Sequence, residues 1–356
     1  MKRLSIVLLL AFAAAPRAQQ PAPPEIAFDS VANFLKLPAD MNLGEASGVA
    51  VNSKGHVFVF TRANVSGPAF GAAAAQLLEF GADGRFIREI GKGLYAFSYA
   101  HDVRIDKDDN IWCVDKGSNM VVKFNPDGHV VLVLGRKQES TDESARPQQG
   151  ATPAPPHVDG YFRQPTDVAW DAAGNIFVSD GYVNARIAKY DKNGNWVKSW
   201  GEHGAGPGQF NTPHGIAVDA RGNVYVADRN NHRIQVFDGN GTFLRQFTLD
   251  APVPASARPI IGNVPDASAQ PQFTARAPWA ICLTPGPKQV LYAADAFPGR
   301  IYKMDLDGHV LGVLGSAGKS LKQFGWVHEM TCPSENELYV AEVLNWRVQK
   351  LVLHPK

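Results

Sequence analysis

The sequence has few cysteines and almost no excess of charge of either sign. Its 356 residues include three cysteines, and 35 lysines and arginines nearly balance 34 aspartates and glutamates, for a formal net charge of +1. A near-neutral chain offers no overall electrostatic attraction to nucleic acid or to an anionic membrane surface. An odd, small number of cysteines leaves room for one internal disulfide at most. We therefore expect no nucleic-acid partner, and a small or neutral ligand fits the composition better.

Long hydrophobic runs are absent too, apart from one near the start. Leu4–Ala15 is apolar and follows the basic residues Lys2 and Arg3. A run of about 12 residues is too short to span a bilayer and is typical of a secretory signal peptide. We predict a signal peptide over residues 1–18. We therefore expect a secreted or periplasmic protein that is not stably inserted in a membrane after the signal peptide is cleaved.

A repeat organises the rest of the chain. An apolar strand, a turn rich in Asp, Gly and Asn, and a second apolar strand recur six times, and most copies continue with another hairpin. The copies begin at Ser47, His101, Thr166, His214, Trp279 and His328. Four short strands in roughly 50 residues are typical of a β-propeller blade. The sequence therefore predicts an all-β, six-bladed propeller over residues 43–354.

Closure of the ring needs one more strand. The last copy stops short of its outer strand, while residues 19–42 contain an unassigned strand-like segment, EIAFDSVANFLKL. An open ring would expose an unpaired strand edge. We predict that this N-terminal segment completes the last blade, and that the insertions at 136–158 and 250–278 are surface loops near the channel mouth.

Histidines occupy alternate blades at one register position. His101, His214 and His328 each begin an innermost strand. Alternate blades of a six-fold ring lie a third of a turn apart, so three imidazoles at one height converge on the channel. Three histidines with an open fourth position are the pattern of a catalytic zinc site. The alternative is that they are polar residues at the rim of the channel.

Acids recur at a second position, the end of the second strand of most blades. They are Asp115, Asp180, Asp228, Asp295 and Glu342. Recurrence in nearly every blade favours a turn-capping role over a catalytic one. Residues just beyond this position break the pattern, and Arg62, Tyr182 and Arg229 are candidates to face the channel beside the metal. The alternative is that these three residues are ordinary loop residues without a role in the site.

The cysteines leave two possibilities open. Cys282 and Cys332 fall near equivalent points of consecutive repeats, so they are either bonded neighbours or buried free thiols. Cys113 then stays unpaired in either case. No function follows from them.

Several segments resemble a known family. The pieces PTDVAW with VSDGYVNARI, GQFNTPHGIAV with VADRNNHRIQVF, and VHEM resemble the catalytic core of the peptidyl-α-hydroxyglycine α-amidating lyases. The likeness covers Ser47 to Leu351. More loosely, the units resemble NHL repeats, which specify only a propeller.

The resemblance implies a reaction and a role for each candidate. Zinc on the three histidines would bind the hydroxyl of a C-terminal α-hydroxyglycine and lower its pKa, and cleavage of the N–C bond would release a carboxamide and glyoxylate. Tyr182 would be the general base, Arg62 would favour its phenolate, and Arg229 would pair with the substrate carboxylate.

A calcium site and three departures also follow from the resemblance. The implied calcium ligands are the backbone carbonyls of Val49 and Val103 and the carboxylate of Glu329. Glu329 stands where the family has Asp, Trp326 where it has Met, and Val183 where it has Cys. These changes bear on the calcium site, the fit of the substrate and the family's disulfides.

The sequence thus predicts a monomeric zinc-dependent lyase. It would act on a peptidyl-α-hydroxyglycine or a related N-acyl carbinolamide, as a small molecule or a peptide C-terminus. The alternative is a non-catalytic NHL propeller that binds a protein, peptide or glycan in the periplasm or outside the cell. A propeller hydrolase or lactonase ranks last, because its site would be a calcium centre rich in carboxylates and asparagine.

Overall fold

The computed structural model describes residues 22–63, 75–137 and 156–354. Regular structure in this part of the chain is almost entirely β-strand, with short 3₁₀ turns at Arg229–Asn231 and Pro271–Phe273. None of its helical segments is long and apolar enough to cross a bilayer. The predicted signal peptide, residues 1–18, lies outside the described residues.

Five four-stranded antiparallel sheets follow one another along the chain after the first strand, β1 (Ala27–Ser30). Each sheet is a blade built from consecutive strands, from the innermost outward. Blade 1 comprises β2 (Glu45–Val51), β3 (Val57–Arg62), β4 (Ala75–Phe80) and β5 (Phe86–Ile90), and blade 2 comprises β6 (Ala100–Ile105), β7 (Ile111–Asp115), β8 (Met120–Phe124) and β9 (Val130–Gly135). Blade 3 comprises β10 (Asp167–Trp170), β11 (Ile176–Asp180), β12 (Arg186–Tyr190) and β13 (Trp196–Trp200). Blade 4 comprises β14 (Pro213–Val218), β15 (Val224–Asp228), β16 (Arg233–Phe237) and β17 (Phe243–Phe247), and blade 5 comprises β18 (Ala280–Leu283), β19 (Leu291–Ala294), β20 (Ile301–Met304) and β21 (Val310–Leu314).

The sixth blade joins the two ends of the described chain. After a short parallel pair, β22 (Ser316–Ala317) and β23 (Gln323–Phe324), it contains β24 (Val327–Ser334), β25 (Glu337–Glu342) and β26 (Arg347–His354). Strand β1 pairs antiparallel with β26 and forms the outer edge of this blade. The predicted all-β six-bladed propeller, closed by an N-terminal strand, is confirmed.

Apolar side chains between adjacent blades hold the ring together. Between blades 2 and 3, Trp112 stacks on Trp170 with ring centroids 5.5 Å apart, and buried Phe162 and Tyr190 join the same cluster. Buried aromatic rings contribute large apolar areas to such interfaces. The innermost strands contact one another in cyclic order around the channel. Packing between blades therefore fixes their relative positions.

The acids that end the second strands bind loop backbone, as their recurrence predicts. Asp115 accepts hydrogen bonds from the N–H groups of Ser98 and Tyr99, both at 2.8 Å, and Glu342 accepts one from Gly325 at 2.7 Å. Asp180 and Asp228 do the same with the loops before their own blades. These bonds anchor the loops that lead into the innermost strands of blades 2, 3, 4 and 6, which include the strands that carry the three histidines.

The structure resolves the cysteine alternatives. Cys282 on β18 and Cys332 on β24 form a disulfide between blades 5 and 6. Cys113 is buried and free.

Candidate metal centre

A β-bulge marks the position of each candidate ligand. Strand pairing skips His101 between Ala100 and Asp102, and it skips His328 in the same way on β24. His214 lies in a similar irregularity on β14. A bulge leaves a residue unpaired and re-aims its side chain, and bulges are common beside active sites. The irregular register therefore turns the three imidazoles toward the channel.

The three histidines meet in the channel. Their ring centroids are 4.5 Å apart for His101 and His328, 4.8 Å for His101 and His214, and 5.0 Å for His214 and His328. All three side chains are buried, and one ring nitrogen of each lies within 4.8 Å of the others. Alternate blades thus bring the predicted ligands to one point.

Backbone carbonyls fix the tautomer of each ring. The Nδ1 atoms lie 2.6 to 2.8 Å from carbonyl oxygens of the intervening blades. The pairs are His101 with Thr166, His214 with Trp279, and His328 with Ser47. A carbonyl only accepts, so each Nδ1 donates its hydrogen and each Nε2 keeps a free lone pair.

The surroundings also keep the imidazoles neutral. Burial, followed by the other imidazoles and nearby cations, holds the pKa of His101 well below its usual range. Burial likewise lowers the pKa of His214 and of His328, with Arg229 and Arg62 as the next causes. Neutral imidazoles with convergent lone pairs are the donor set that zinc prefers. The residues therefore fit zinc.

Tyr182 lies over this set of nitrogens. Its hydroxyl is 3.3 Å from His101 Nε2 and 3.4 Å from His214 Nε2. Lys116 Nζ lies 3.3 Å from the centroid of the Tyr182 ring, and Arg229 Cζ lies 5.4 Å from it. Burial raises the pKa of Tyr182, but Lys116, Arg229 and Arg62 outweigh burial and lower the pKa to about 8. The cations therefore favour the phenolate.

Lys116 is a site residue that the sequence reasoning missed. It follows Asp115 directly, as Arg229 follows Asp228, so the repeat alignment contained the signal. The side chain is half-buried, and this burial lowers the pKa of its amine.

The two predicted arginines have different surroundings. Arg62 donates to Glu45 at 2.7 Å and to the carbonyl of Ala100 at 2.8 Å, so its charge is partly matched. Arg229 is 3% exposed and lies between the rings of Tyr182 and Trp279. Within the described ranges no carboxylate forms an ion pair with it. The excess positive charge around Tyr182 suits an anionic ligand.

A second polar cluster lies one residue further along the inner strands. Asp102, Asp167 and Glu329 are buried and surround Arg104, whose Nη2 is 2.6 Å from Asp167 and 2.7 Å from Glu329. Arg104 Nε lies 3.2 Å from Asp102. Burial raises the pKa of Asp102 and Glu329 well above the usual range, and neighbouring carboxylates add to this for Asp102.

The cluster bears on the calcium prediction. Calcium binds six to eight oxygens. Here a guanidinium already lies within 3.2 Å of an oxygen of each of the three carboxylates, including Glu329. With Arg104 among them, these carboxylates already have a cation beside them. Nothing else in the described residues tests Val49, Val103 and Glu329 as calcium ligands, so they stay a prediction.

Comparisons with known proteins agree with this architecture. The model of the NHL repeat family matches residues 210–237. The chain is 28% identical over 332 residues to peptidyl-glycine alpha-amidating monooxygenase A of Xenopus laevis, covering 85% of this chain and 31% of that protein. It is 27% identical over 344 residues to peptidyl-alpha-hydroxyglycine alpha-amidating lyase 1 of Drosophila melanogaster, covering 88% of this chain and 58% of that protein. The chain therefore spans only part of these relatives.

Solved structures show the same fold. A streptogramin B lyase structure covers 92% of this chain and 97% of its own, with a TM-score of 0.54 and 14% identity. A virginiamycin B lyase from Staphylococcus aureus gives a TM-score of 0.52 and 13% identity, covering 93% of this chain and 100% of its own. Identities this low support the fold alone. The chain is a six-bladed propeller in which residues 210–237 match the NHL repeat, and its sequence resembles that of the peptidyl-α-hydroxyglycine α-amidating lyases.

Proposed function

We propose that the chain is a zinc-dependent lyase that cleaves a peptidyl-α-hydroxyglycine or a related N-acyl carbinolamide to an amide and glyoxylate. The observation that carries this proposal is the arrangement of three neutral histidines with the Tyr182 hydroxyl 3.3 and 3.4 Å from two of their Nε2 atoms. The similarity to the Drosophila melanogaster protein named an amidating lyase supports it.

The histidines would hold the metal through Nε2. Zinc bound by His101, His214 and His328 supplies Lewis acidity that lowers the pKa of a hydroxyl placed beside it. Their Nδ1 bonds to backbone carbonyls keep the rings oriented, as is common for zinc ligands.

Tyr182 is placed to move the proton. Its phenolate oxygen accepts the proton of the substrate hydroxyl, and the carbon that bore the hydroxyl becomes the aldehyde carbon of glyoxylate. The N–C bond breaks, and its electron pair stays on the amide nitrogen. Tyr182 then returns the proton to that nitrogen, so atoms and charges balance. Lys116 over the ring favours the phenolate at the start of the cycle.

Arg229 is placed to bind the other end of the reacting residue. Its guanidinium is buried beside Tyr182 and presents a fork of donors that matches a carboxylate. The carboxylate of an α-hydroxyglycine would neutralise this charge. Arg62, which is paired with Glu45, contributes to the positive field around Tyr182.

We also propose that the protein is exported. The apolar run Leu4–Ala15 supports this, and so does the disulfide between Cys282 and Cys332, because disulfides persist mainly in oxidising compartments.

Replacing Tyr182 by phenylalanine is the test of the reaction. We expect glyoxylate release from N-acetyl-α-hydroxyglycine to fall by about a hundredfold or more, because the proton acceptor is lost. Zinc content should stay at the wild-type level, since the three ligands remain. Tyr161→Phe, at a tyrosine that is 41% exposed, is the matched control and should keep full activity. Full activity in Tyr182→Phe contradicts the proposed role, and zinc without any turnover in the wild type favours a binding propeller.

A further inference from the structure

A pocket opens at Trp326, which precedes the candidate ligand His328 by two residues. Its volume is about 400 Å³, and the insertion 250–278 forms most of its wall. The large apolar side chains that line it are Ile261, Val264, Phe273, Phe297 and Trp326. Ile261 is 54% exposed and Val264 is 49% exposed, which is unusual for side chains of this size. The pocket therefore presents apolar surface that lacks a partner within the described chain.

Aromatic rings connect this pocket to the histidines. Phe273 stacks on Trp326 with centroids 4.7 Å apart and planes at 22°. Trp326 lies 5.6 Å from Trp279, and Trp279 lies 6.0 Å from His328. Trp279 Nε1 donates to the carbonyl of Gln272 at 2.8 Å, which fixes its ring against the insertion. A row of ring contacts thus links the pocket to the metal centre.

The positive charge and the apolar pocket lie at different rings of this row. Arg229 contacts Trp279, the ring between Trp326 and His328, with its Cζ 4.6 Å from the Trp279 centroid. The charged residue that lines the pocket is Asp266, and its carboxylate already accepts two hydrogen bonds from Ser268, at 2.6 and 2.8 Å. An anionic group would bind at Arg229, and an uncharged apolar group would bind in the pocket.

We propose that this pocket binds the acyl part of the substrate and selects an apolar, preferably aromatic, group there. An example is the side chain of a phenylalanine that precedes the hydroxyglycine. The inference rests on the proposed lyase function. A carboxylate on Arg229 and an aromatic ring against Trp326 would place the N–C bond between them, next to the histidines. Offset stacking on Trp326 supplies the selectivity.

Trp326 is held ready for this contact. Its backbone adopts a left-handed conformation, with φ of 56°. Two hydrogen bonds hold this part of the backbone. The carboxylate of Glu342 accepts the N–H of Gly325 at 2.7 Å, and the carbonyl of Trp326 accepts the N–H of Val343 at 3.3 Å. A ring that is already positioned loses little entropy when it binds a ligand.

The experiment compares two substrates in each variant. The readout is the ratio of kcat/KM for N-(3-phenylpropionyl)-α-hydroxyglycine to kcat/KM for N-acetyl-α-hydroxyglycine. We expect a ratio of about ten or more in the wild type, about three in Trp326→Met and close to one in Trp326→Ala. Ile87→Ala, on outer strand β5 at a side chain that is 46% exposed, is the control and should keep the wild-type ratio. A wild-type ratio near one, or a ratio that Trp326→Ala leaves unchanged, overturns the inference.

Binding without turnover separates this inference from the proposed reaction. The probe is 3-phenylpropionamide, the amide product, titrated into zinc-loaded protein and followed by calorimetry. We expect binding that weakens at least about fivefold in Trp326→Ala. If neither hydroxyglycine is cleaved but the amide binds through Trp326, the lyase proposal fails and the apolar pocket stands. If both substrates are cleaved equally well and the amide does not bind, the pocket proposal fails and the lyase stands.

Discussion

We expect His214→Ala to lose its zinc and to release no glyoxylate above background. The imidazole is one of three that converge, and its Nδ1 is bonded to the carbonyl of Trp279 at 2.7 Å. Mutation of a group that is hydrogen-bonded to a metal ligand typically lowers metal affinity 10- to 100-fold, and loss of the ligand itself lowers it further. After dialysis we expect about one zinc per wild-type chain and less than about a tenth of that in the variant. Elemental analysis measures the metal, and the glyoxylate assay measures activity.

His309→Ala is the matched control for this experiment. His309 lies on the surface and contacts Asp305 at 2.7 Å, away from the channel. We expect this variant to keep its zinc and its activity. Wild-type protein that holds no zinc after incubation with the metal would overturn the metal centre, and so would His214→Ala that holds as much zinc as the wild type.

We expect Arg104→Met to unfold far more easily than the wild type. Arg104 is the cation among Asp102, Asp167 and Glu329, and all three carboxylates are buried. Removing one partner of a buried ion pair costs about 3 to 5 kcal/mol, because the remaining charge is left uncompensated. We expect a loss of that size in the free energy of unfolding. Urea denaturation followed by circular dichroism measures it.

Arg85→Met is the control for loss of an arginine. Arg85 pairs with Asp83 on the surface, where both side chains are more than half exposed, so the expected change is within about 0.5 kcal/mol. A second measurement addresses the calcium prediction. We expect a calcium chelator to leave the Tm of the wild type unchanged, since Arg104 already supplies positive charge. A Tm that falls with the chelator and returns with calcium would show that calcium binds in addition to Arg104.

The repeat made most of the architecture predictable. Each copy places a strand, a turn and a strand in the same register, so the blades and their number follow from the alignment. The same register placed His101, His214 and His328 at one height, and the ring geometry then required them to converge. Tyr182 and Arg229 also lie where the break in the acid pattern indicated.

The β-bulges explain why the sequence did not reveal the Arg104 cluster next to the histidines. Strict alternation along β6 would point His101 and Asp102 to opposite faces of the sheet. The irregular pairing at His101 brings both toward the channel, so one strand contributes to the metal centre and to the Arg104 cluster. A bulge of one residue leaves no trace in composition. The contact between Phe273 and Trp326 joins segments that are distant in sequence, and no local pattern predicts it.

The hydrogen bonds behind the histidines each cross from one blade to the next. The bond from His328 to the carbonyl of Ser47 crosses the boundary between blades 6 and 1, the junction beside which β1 closes the ring. The ligands are oriented only when every one of these boundaries is intact. A zinc ion bound by alternate blades would therefore stabilise the closed ring, and we expect a ring that opens at this junction to release the metal.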